Sequence, residues 1–458
     1  MKRGLHRTQD QTQAVRRGER REAIVAAAVE EFARWGYDGA STNRIAQTAQ
    51  VAKGLIFRHF GSKEGLFSAA LETACERLFP LEDEPLPADP FARLEEFLAR
   101  RMARIAAYRV EAWFVARFRG HLRSALTPPA RRIDEFSARL RSRLREGLDT
   151  GGLRSGVDPQ AAAELLVLVA EGFERRELDL LAAAAAGGEA QSVVDGFTPE
   201  AMRNRVRTVT RLLRHGIYRP GARTSAQPVC IDAEPFLAAL GRLAPVGGPA
   251  DERRERILHA AQHMFAERGY EGTSAEAIAA RAGVAKGLVF HYFGSKADLY
   301  LAAVADAAAR LSAVFFARED GPQPDLFQRL MNWTRRKALI FQEHPTLYGL
   351  VLTAFAQPPG AVQEAVRQYV TESARRGWEL IMDGVDTTPF RPDIAPAQAV
   401  ELVMMVTDTL ADRLLVRLGS RPDKGLNLLP VITEQTAVYL ALLRDGLAET
   451  CEPQPLRE

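Results

Sequence analysis

Lysine is scarce in this chain. Of its 61 Lys and Arg residues only seven are lysines: Lys2, Lys53, Lys63, Lys286, Lys296, Lys337 and Lys424. Cysteine is scarcer still. Cys75, Cys230 and Cys451 stand far apart without metal-ligand spacing and suit a reducing compartment. No run of about 18 apolar residues is visible, and the N-terminus has no apolar signal core, so a cytoplasmic location is expected. Strand-like alternation is missing, and with it any glycine-rich phosphate loop following a strand. No convincing Ser/His/Asp set occurs. His259 and His263 are four apart on a helix but lack the glutamate of a metalloprotease motif. No enzyme activity, cofactor or metal is therefore expected. A net charge of +3 on 458 residues makes any basic surface local.

What is present is a repeat. Arg20–Phe67 and Arg253–Tyr300 align without a gap at an offset of 233, with 26 of 48 positions identical. Similarity on that scale marks an internal duplication. Each copy reads as helices. Ile24, Ala27, Ala28 and Phe32 fall at helix spacing, as do Ile257, Ala260, Ala261, Met264 and Phe265. Gly36 and Gly269 are placed to stop the first helix. A short second helix follows through Ile45-Ala46 and Ile278-Ala279. A third starts near Ala52 and Ala285, and a fourth after Ser62 and Ser295, both good N-caps. Two short helices joined by a tight turn make a helix-turn-helix, whose second helix can enter the major groove.

Four of the seven lysines recur at the same offset: Lys53 with Lys286, and Lys63 with Lys296. Each falls in the first turn of an expected helix, where the dipole disfavours a cation. An anion bound there, such as a DNA phosphate, resolves the conflict.

Both units resemble the DNA-binding domain of the TetR family of bacterial regulators. The resemblance rests on Phe32, Ala33, Gly36, Tyr37, Gly39 and Ser41 with their mates Phe265, Ala266, Gly269, Tyr270, Gly272 and Ser274. It rests also on VAKGLIFRHFGSK at 51–63 and VAKGLVFHYFGSK at 284–296. It implies that Lys53-Gly54 and Lys286-Gly287 approach base edges. It implies that Arg58, His59, Lys63, His291, Tyr292 and Lys296 hold phosphates. Ser41, Asn43, Thr273 and Ser274, at the start of the second helix, complete the implied DNA contacts. Phe57 and Phe290 stand where the family often has tyrosine. Thr273 and Glu276 could form a capping box, whereas the matching Ala40 and Asn43 cannot, leaving Ser41 as the alternative cap.

The rest of the chain follows the same duplication. Long amphipathic helices are expected at 91–119, 130–148, 159–186 and 199–217. The pattern Phe91-x-x-Leu94-x-x-Phe97 is answered by Phe327-x-x-Leu330-x-x-Trp333. The expected fold is all-α, with two tandem TetR-like subunits. Each is a three-helix helix-turn-helix domain (20–67; 250–300) plus an α-helical effector/dimerisation domain (68–218; 301–450). A proline-rich linker at 219–249 joins them, and 451–458 is a tail. Residues 1–19 are basic and read either as a disordered tail or as an arm following the minor groove. Residues 1–67 carry a net +5 and residues 250–300 a net zero.

The resemblance implies a ligand-responsive repressor, here as a covalent pseudo-dimer on an imperfect palindromic DNA operator. Pairing between chains, and a dimerisation scaffold with a degenerate second head, are the alternatives. A small apolar or aromatic effector is implied in the helical bodies. Its candidate contacts are Trp113, Phe114, Phe118 and His121 in one half, and Trp333, His344, Tyr348 and Phe355 in the other.

Overall fold

The computed structural model describes residues 2–80, 84–124, 128–187, 199–221, 251–317, 324–356, 358–419 and 425–448. The 219–249 linker lies almost wholly outside them, as does the 451–458 tail. Among the described residues the secondary structure is helical, apart from one isolated bridge between Tyr218 and Phe390. The chain forms two compact units, 1–214 and 215–458.

In the first unit α1 (Lys2–Gly39), α2 (Thr42–Thr48), α3 (Lys53–Phe60) and α4 (Lys63–Leu78) form the head. The N-terminal arm is not extended. It is helical from Lys2 and continuous with α1, since no proline interrupts it. The helix breaks at Gly36, whose φ of 72° only glycine adopts readily. Ile24, Ala28 and Phe32 are fully buried. Phe32 meets Phe67 edge-on at 5.0 Å, and Phe67 meets Phe118 at 4.9 Å and Phe114 at 5.6 Å. These aromatics join the head to the body.

The body of the first unit comprises α5 (Pro90–Ala107), α6 (Arg109–Ser124), α7 (Pro128–Arg145), α8 (Pro159–Gly187) and α9 (Pro199–His215). The single helix expected over 91–119 is two helices, broken at Tyr108. The Asp89 side chain caps α5 by accepting from Ala92 N at 2.7 Å. Arg101 is buried and pairs with buried Glu174 at 2.7 Å, with its guanidinium over the Phe79 and Phe136 rings. Losing either partner would strand a buried charge. Arg93 donates to the carbonyls of Arg143 and Gly147 at 3.1 Å, closing the C-terminal end of α7.

The second unit begins earlier than the sequence pattern suggests. Residues 215–221, assigned above to the first body and the linker, belong to the second unit by their contacts. Ile217 N donates to Leu443 O at 3.0 Å, and Arg391 N donates to Ile217 O at 2.9 Å. The Tyr218 hydroxyl donates to Asp325 at 3.1 Å, and its ring lies 5.2 Å from Phe327. A Cβ on Gly216 would come within 2.5 Å of the Arg444–Gly446 backbone.

The second head is α10 (Glu252–Arg268), α11 (Ala275–Ala282), α12 (Lys286–Phe293) and α13 (Lys296–Phe316). Its body is α14 (Leu326–Glu343), α15 (Pro345–Ala356), α16 (Gln363–Met382), α17 (Pro396–Gly419) and α18 (Gly425–Asp445). Arg329 repeats the role of Arg93, donating to Ile381 O at 2.7 Å and Asp383 O at 2.6 Å at the end of α16. The apolar stretch of helix α13 is interrupted by Lys296, Asp298, Asp306 and Arg310. Helix α13 is long and apolar enough to cross a membrane by length and composition. Here its apolar side chains lie in the head's core, where Leu299, Ala303 and Ala307 are fully buried.

Candidate nucleic-acid interface

The first head presents α3 to solvent. Ser41 caps α2, its Oγ accepting from Asn43 N at 3.3 Å, while Ser41 N donates to Glu31 at 2.8 Å. Arg44 donates to the same Glu31 at 2.7 Å and lies over the Trp35 ring at 5.2 Å. The turn between α2 and α3 passes through Gln50 at φ 53°. Ala52 offers α3 no side-chain cap, so the first amides of the helix are left open. Ile56 anchors α3 in the core, while Lys53, Gly54, Phe57, Asn43 and Arg58 are exposed. His59 is half-buried beside Phe60. Ser62 caps α4 by accepting from Gly65 N at 3.0 Å, and Lys63 Nζ sits 5.0 Å from the Tyr37 ring.

The second head repeats this frame with different charges. Ser274 is the cap of α11, accepting from Ala277 N at 3.2 Å. The capping box expected from Thr273 and Glu276 does not form. Thr273 is buried, and its hydroxyl donates to Met264 O at 3.1 Å and Gly269 O at 2.8 Å. That hydroxyl is consumed inside the fold, so Thr273 is also unsuited to the DNA contact assigned to it. Ala285, like Ala52, provides no cap. Lys286 is ion-paired with Glu276 and lies 5.8 Å from the Phe290 ring. The Lys286 ammonium holds the Glu276 carboxyl below the usual carboxylate range. The Tyr292 hydroxyl donates to Asp251, the cap of α10, which ties that tyrosine to the frame instead of leaving it free for phosphate. The same bond pushes Tyr292 up and holds Asp251 down. His291 is exposed, and Lys296 Nζ lies 4.2 Å from the Tyr270 ring.

Two glycines carry weight. Gly54 and Gly287 lie in the first turns of α3 and α12, and glycine favours a helix less than alanine does. A Cβ at either would meet nothing within 4 Å. The protein's own packing does not require glycine there.

The candidate effector residues divide differently. Phe114, Phe118 and Trp333 are buried and committed to core contacts, Trp333 with Phe315 at 5.2 Å. Trp113, His344, Tyr348 and Phe355 are half-buried. Burial pushes the Tyr348 phenol up to about 12. The His121 side chain lies outside the described residues. No group of three or more potential metal ligands occurs among the described residues.

The family profile described as "Bacterial regulatory proteins, tetR family" matches the chain twice, at 24–70 and 257–303. A relative is the HTH-type transcriptional repressor AcnR of Corynebacterium jeikeium, 31% identical over 159 residues, covering 34% of this chain and 79% of AcnR. The chain belongs to the tetR family. It carries two such units in tandem and is a DNA-binding transcriptional regulator. The HTH-type transcriptional activator FasR of Mycolicibacterium smegmatis is 44% identical over 69 residues. That match covers 14% of this chain and only 32% of FasR. A TetR-like transcriptional regulator from Rhodococcus sp. RHA1 aligns at a TM-score of 0.31 and 22% identity, over 41% of this chain and 97% of that one.

Sequence reasoning missed three tetR-unit contacts: Glu276 with Lys286, Asp251 with Tyr292, and Arg44 with Glu31. Only the first left a trace, the replacement of Asn43 by Glu276 at matched positions.

Proposed function

We propose that the chain is a ligand-responsive repressor acting in the cytoplasm as a covalent pseudo-dimer, with two heads that read unlike half-sites of one operator. The observation that carries this reading is the pair of open glycines beside exposed lysines, Lys53-Gly54 and Lys286-Gly287. A chain that used only its first head would have no reason to keep the second glycine at the cost of helix stability. Lys53, Lys286 and the uncapped amides behind them supply donors to DNA phosphate or guanine. Arg58, His59, Lys63, His291 and Lys296 flank them. Fusion through the 219–249 linker makes the meeting of the halves intramolecular, at a millimolar effective concentration.

Release follows if a small apolar or aromatic ligand favours one spacing of the heads over another. Trp113, His344, Tyr348 and Phe355 are its candidate contacts. In the first unit the Phe32, Phe67, Phe114 and Phe118 cluster gives α6 a direct hold on α4, whose first residue is Lys63. AcnR is a transcriptional repressor, which supports repression here.

A second reading is favoured by one observation: Lys286 is already ion-paired. It treats the second head as structural. Footprinting and mass determination of the complex on DNA selected by the chain decide between them. One chain per operator, with both Lys53→Ala and Lys286→Ala weakened, supports the pseudo-dimer with two working heads. Two chains per operator, with only Lys53→Ala weakened, overturns it.

A further inference from the structure

One place where the exposed faces of the two heads differ in charge at a matched site is the groove between α11 and α12. It has a volume of about 460 Å³ and is lined by Ser274, Glu276, Lys286, Phe290 and Lys296, among others. Glu276 and Lys286 face each other across it, 59% and 52% exposed. In the first head the matching residues are Asn43 and Lys53, and no ion pair of Lys53 occurs among the described residues.

We propose that Glu276 and Lys286 together read one G·C base pair in the major groove, so that Glu276 sets the specificity of the second half-site. The proposal rests on the reading that the second head binds DNA. A carboxylate on a DNA-facing surface is repelled by phosphate. Its favourable partner in the major groove is an exocyclic amine, and cytosine N4 is the one a glutamate commonly accepts from. A lysine ammonium donates to guanine O6 and N7. In a G·C pair the guanine acceptors and the cytosine amine lie side by side on the groove edge. An adjacent ammonium and carboxylate match that edge, donor to acceptor and acceptor to donor. An exposed ion pair is weakly held, so its members can turn to the bases at little cost.

Asn43, at the same place in the first head, is suited instead to adenine N6 and N7. The operator is then asymmetric at this one matched position. The plainer role of Glu276, an acid favourable in the first turn of α11, predicts no base preference.

The test is selection from random DNA by the full-length chain, in parallel with Glu276→Gln and Glu276→Asn. Selected sites are then compared by titration at two salt concentrations. Thermal melts followed by circular dichroism check that the variants fold. The wild type is expected to enrich an imperfect palindrome with G·C at one position of one half-site. Glu276→Gln is expected to lose about tenfold of discrimination at that base pair alone. Glu276→Asn is expected to move the preference there toward the base selected in the other half. Three outcomes overturn the proposal. Glu276→Gln could keep the wild-type preference at every position. It could bind all sequences alike more tightly, with the gain erased by salt, which makes Glu276 a general repulsion. The Glu276-dependent base could be A·T. A wild type that enriches no sequence overturns the DNA-reading function itself, and this assignment with it.

Discussion

Between the two heads many buried positions agree, while several exposed ones diverge. Ile24, Ala28, Phe32, Ile45, Ile56 and Leu66 match Ile257, Ala261, Phe265, Ile278, Val289 and Leu299, and all are buried. On the surface Asn43 faces Glu276, Arg44 faces Ala277, and Arg58 faces His291. The frame is held by packing, where one methylene matters. The exposed surface is free to drift in charge. A homodimer changes both of its heads with every substitution. A fused pair changes one, and the difference in net charge between residues 1–67 and 250–300 is consistent with that freedom.

The largest expected effect comes where the halves are most alike. Gly216 and Gly446 end corresponding helices at φ 75° and 81°. Gly216→Val combines a disfavoured backbone conformation with a Cβ 2.5 Å from the Arg444 carbonyl oxygen. The expected loss is about 2–4 kcal/mol, read as a lower denaturant midpoint. A midpoint within experimental error of wild type would show that the 215–221 segment does not help hold the second unit.

The next effect separates the lysines. Lys53→Ala removes a cation and is expected to weaken operator binding about tenfold, lowering the salt slope by about 1. Lys286→Ala also leaves Glu276 facing DNA without its counter-charge, so a larger loss of about thirtyfold is expected. Adding Glu276→Ala should recover part of it. No such rescue exists for Lys53. Equal losses, or no rescue, would break the distinction between the heads, and a double-mutant cycle measures it.

These contrasts mark what was legible in the sequence. Ser62 and Ser295 cap α4 and α13 as their spacing suggests, because capping is decided within three residues. The all-α fold and the tandem heads were legible for the same reason, since helical periodicity and repeats are local patterns. The break at Tyr108 was not, because apolar spacing runs on through it. Nor was the fate of Thr273, whose capping spacing was correct but whose hydroxyl is taken by carbonyls of α10 and its cap. Glu276 and Lys286 are ten positions apart and meet only because the α11–α12 turn folds back. Composition records both charges and cancels them.

A smaller effect lies in that turn. Gln50 holds φ 53° where the second head has Gly283 at φ 67°. A non-glycine residue is strained there. Gln50→Gly is expected to stabilise the first head by about 0.5–1 kcal/mol, and Gly283→Gln to destabilise the second by a similar amount. Thermal midpoints of the two variants should move in opposite directions. A shift of the same sign in both would mean that the turns are not equivalent.

The smallest effect is one of pH, and only the second head should show it. His263 stands where the first head has Glu30. Burial, and then the nearby His259 and Arg281, hold its imidazole below the usual histidine value, against a smaller pull from Glu267. In the unfolded chain the ring takes up its proton near pH 6.5, and in the folded chain it does so at lower pH. The unfolded state therefore binds more protons in that interval, and stability falls as pH drops through about 6.5 towards the folded value. Above 6.5 the contribution is fully present. His263 is only partly buried, so solvent screening keeps the change within about 0.5 kcal/mol. Melting wild type and His263→Gln at pH 8 and pH 5.5 isolates it. The wild type should lose more of its midpoint on acidification than the variant, and an identical loss would place the acid sensitivity elsewhere in the chain.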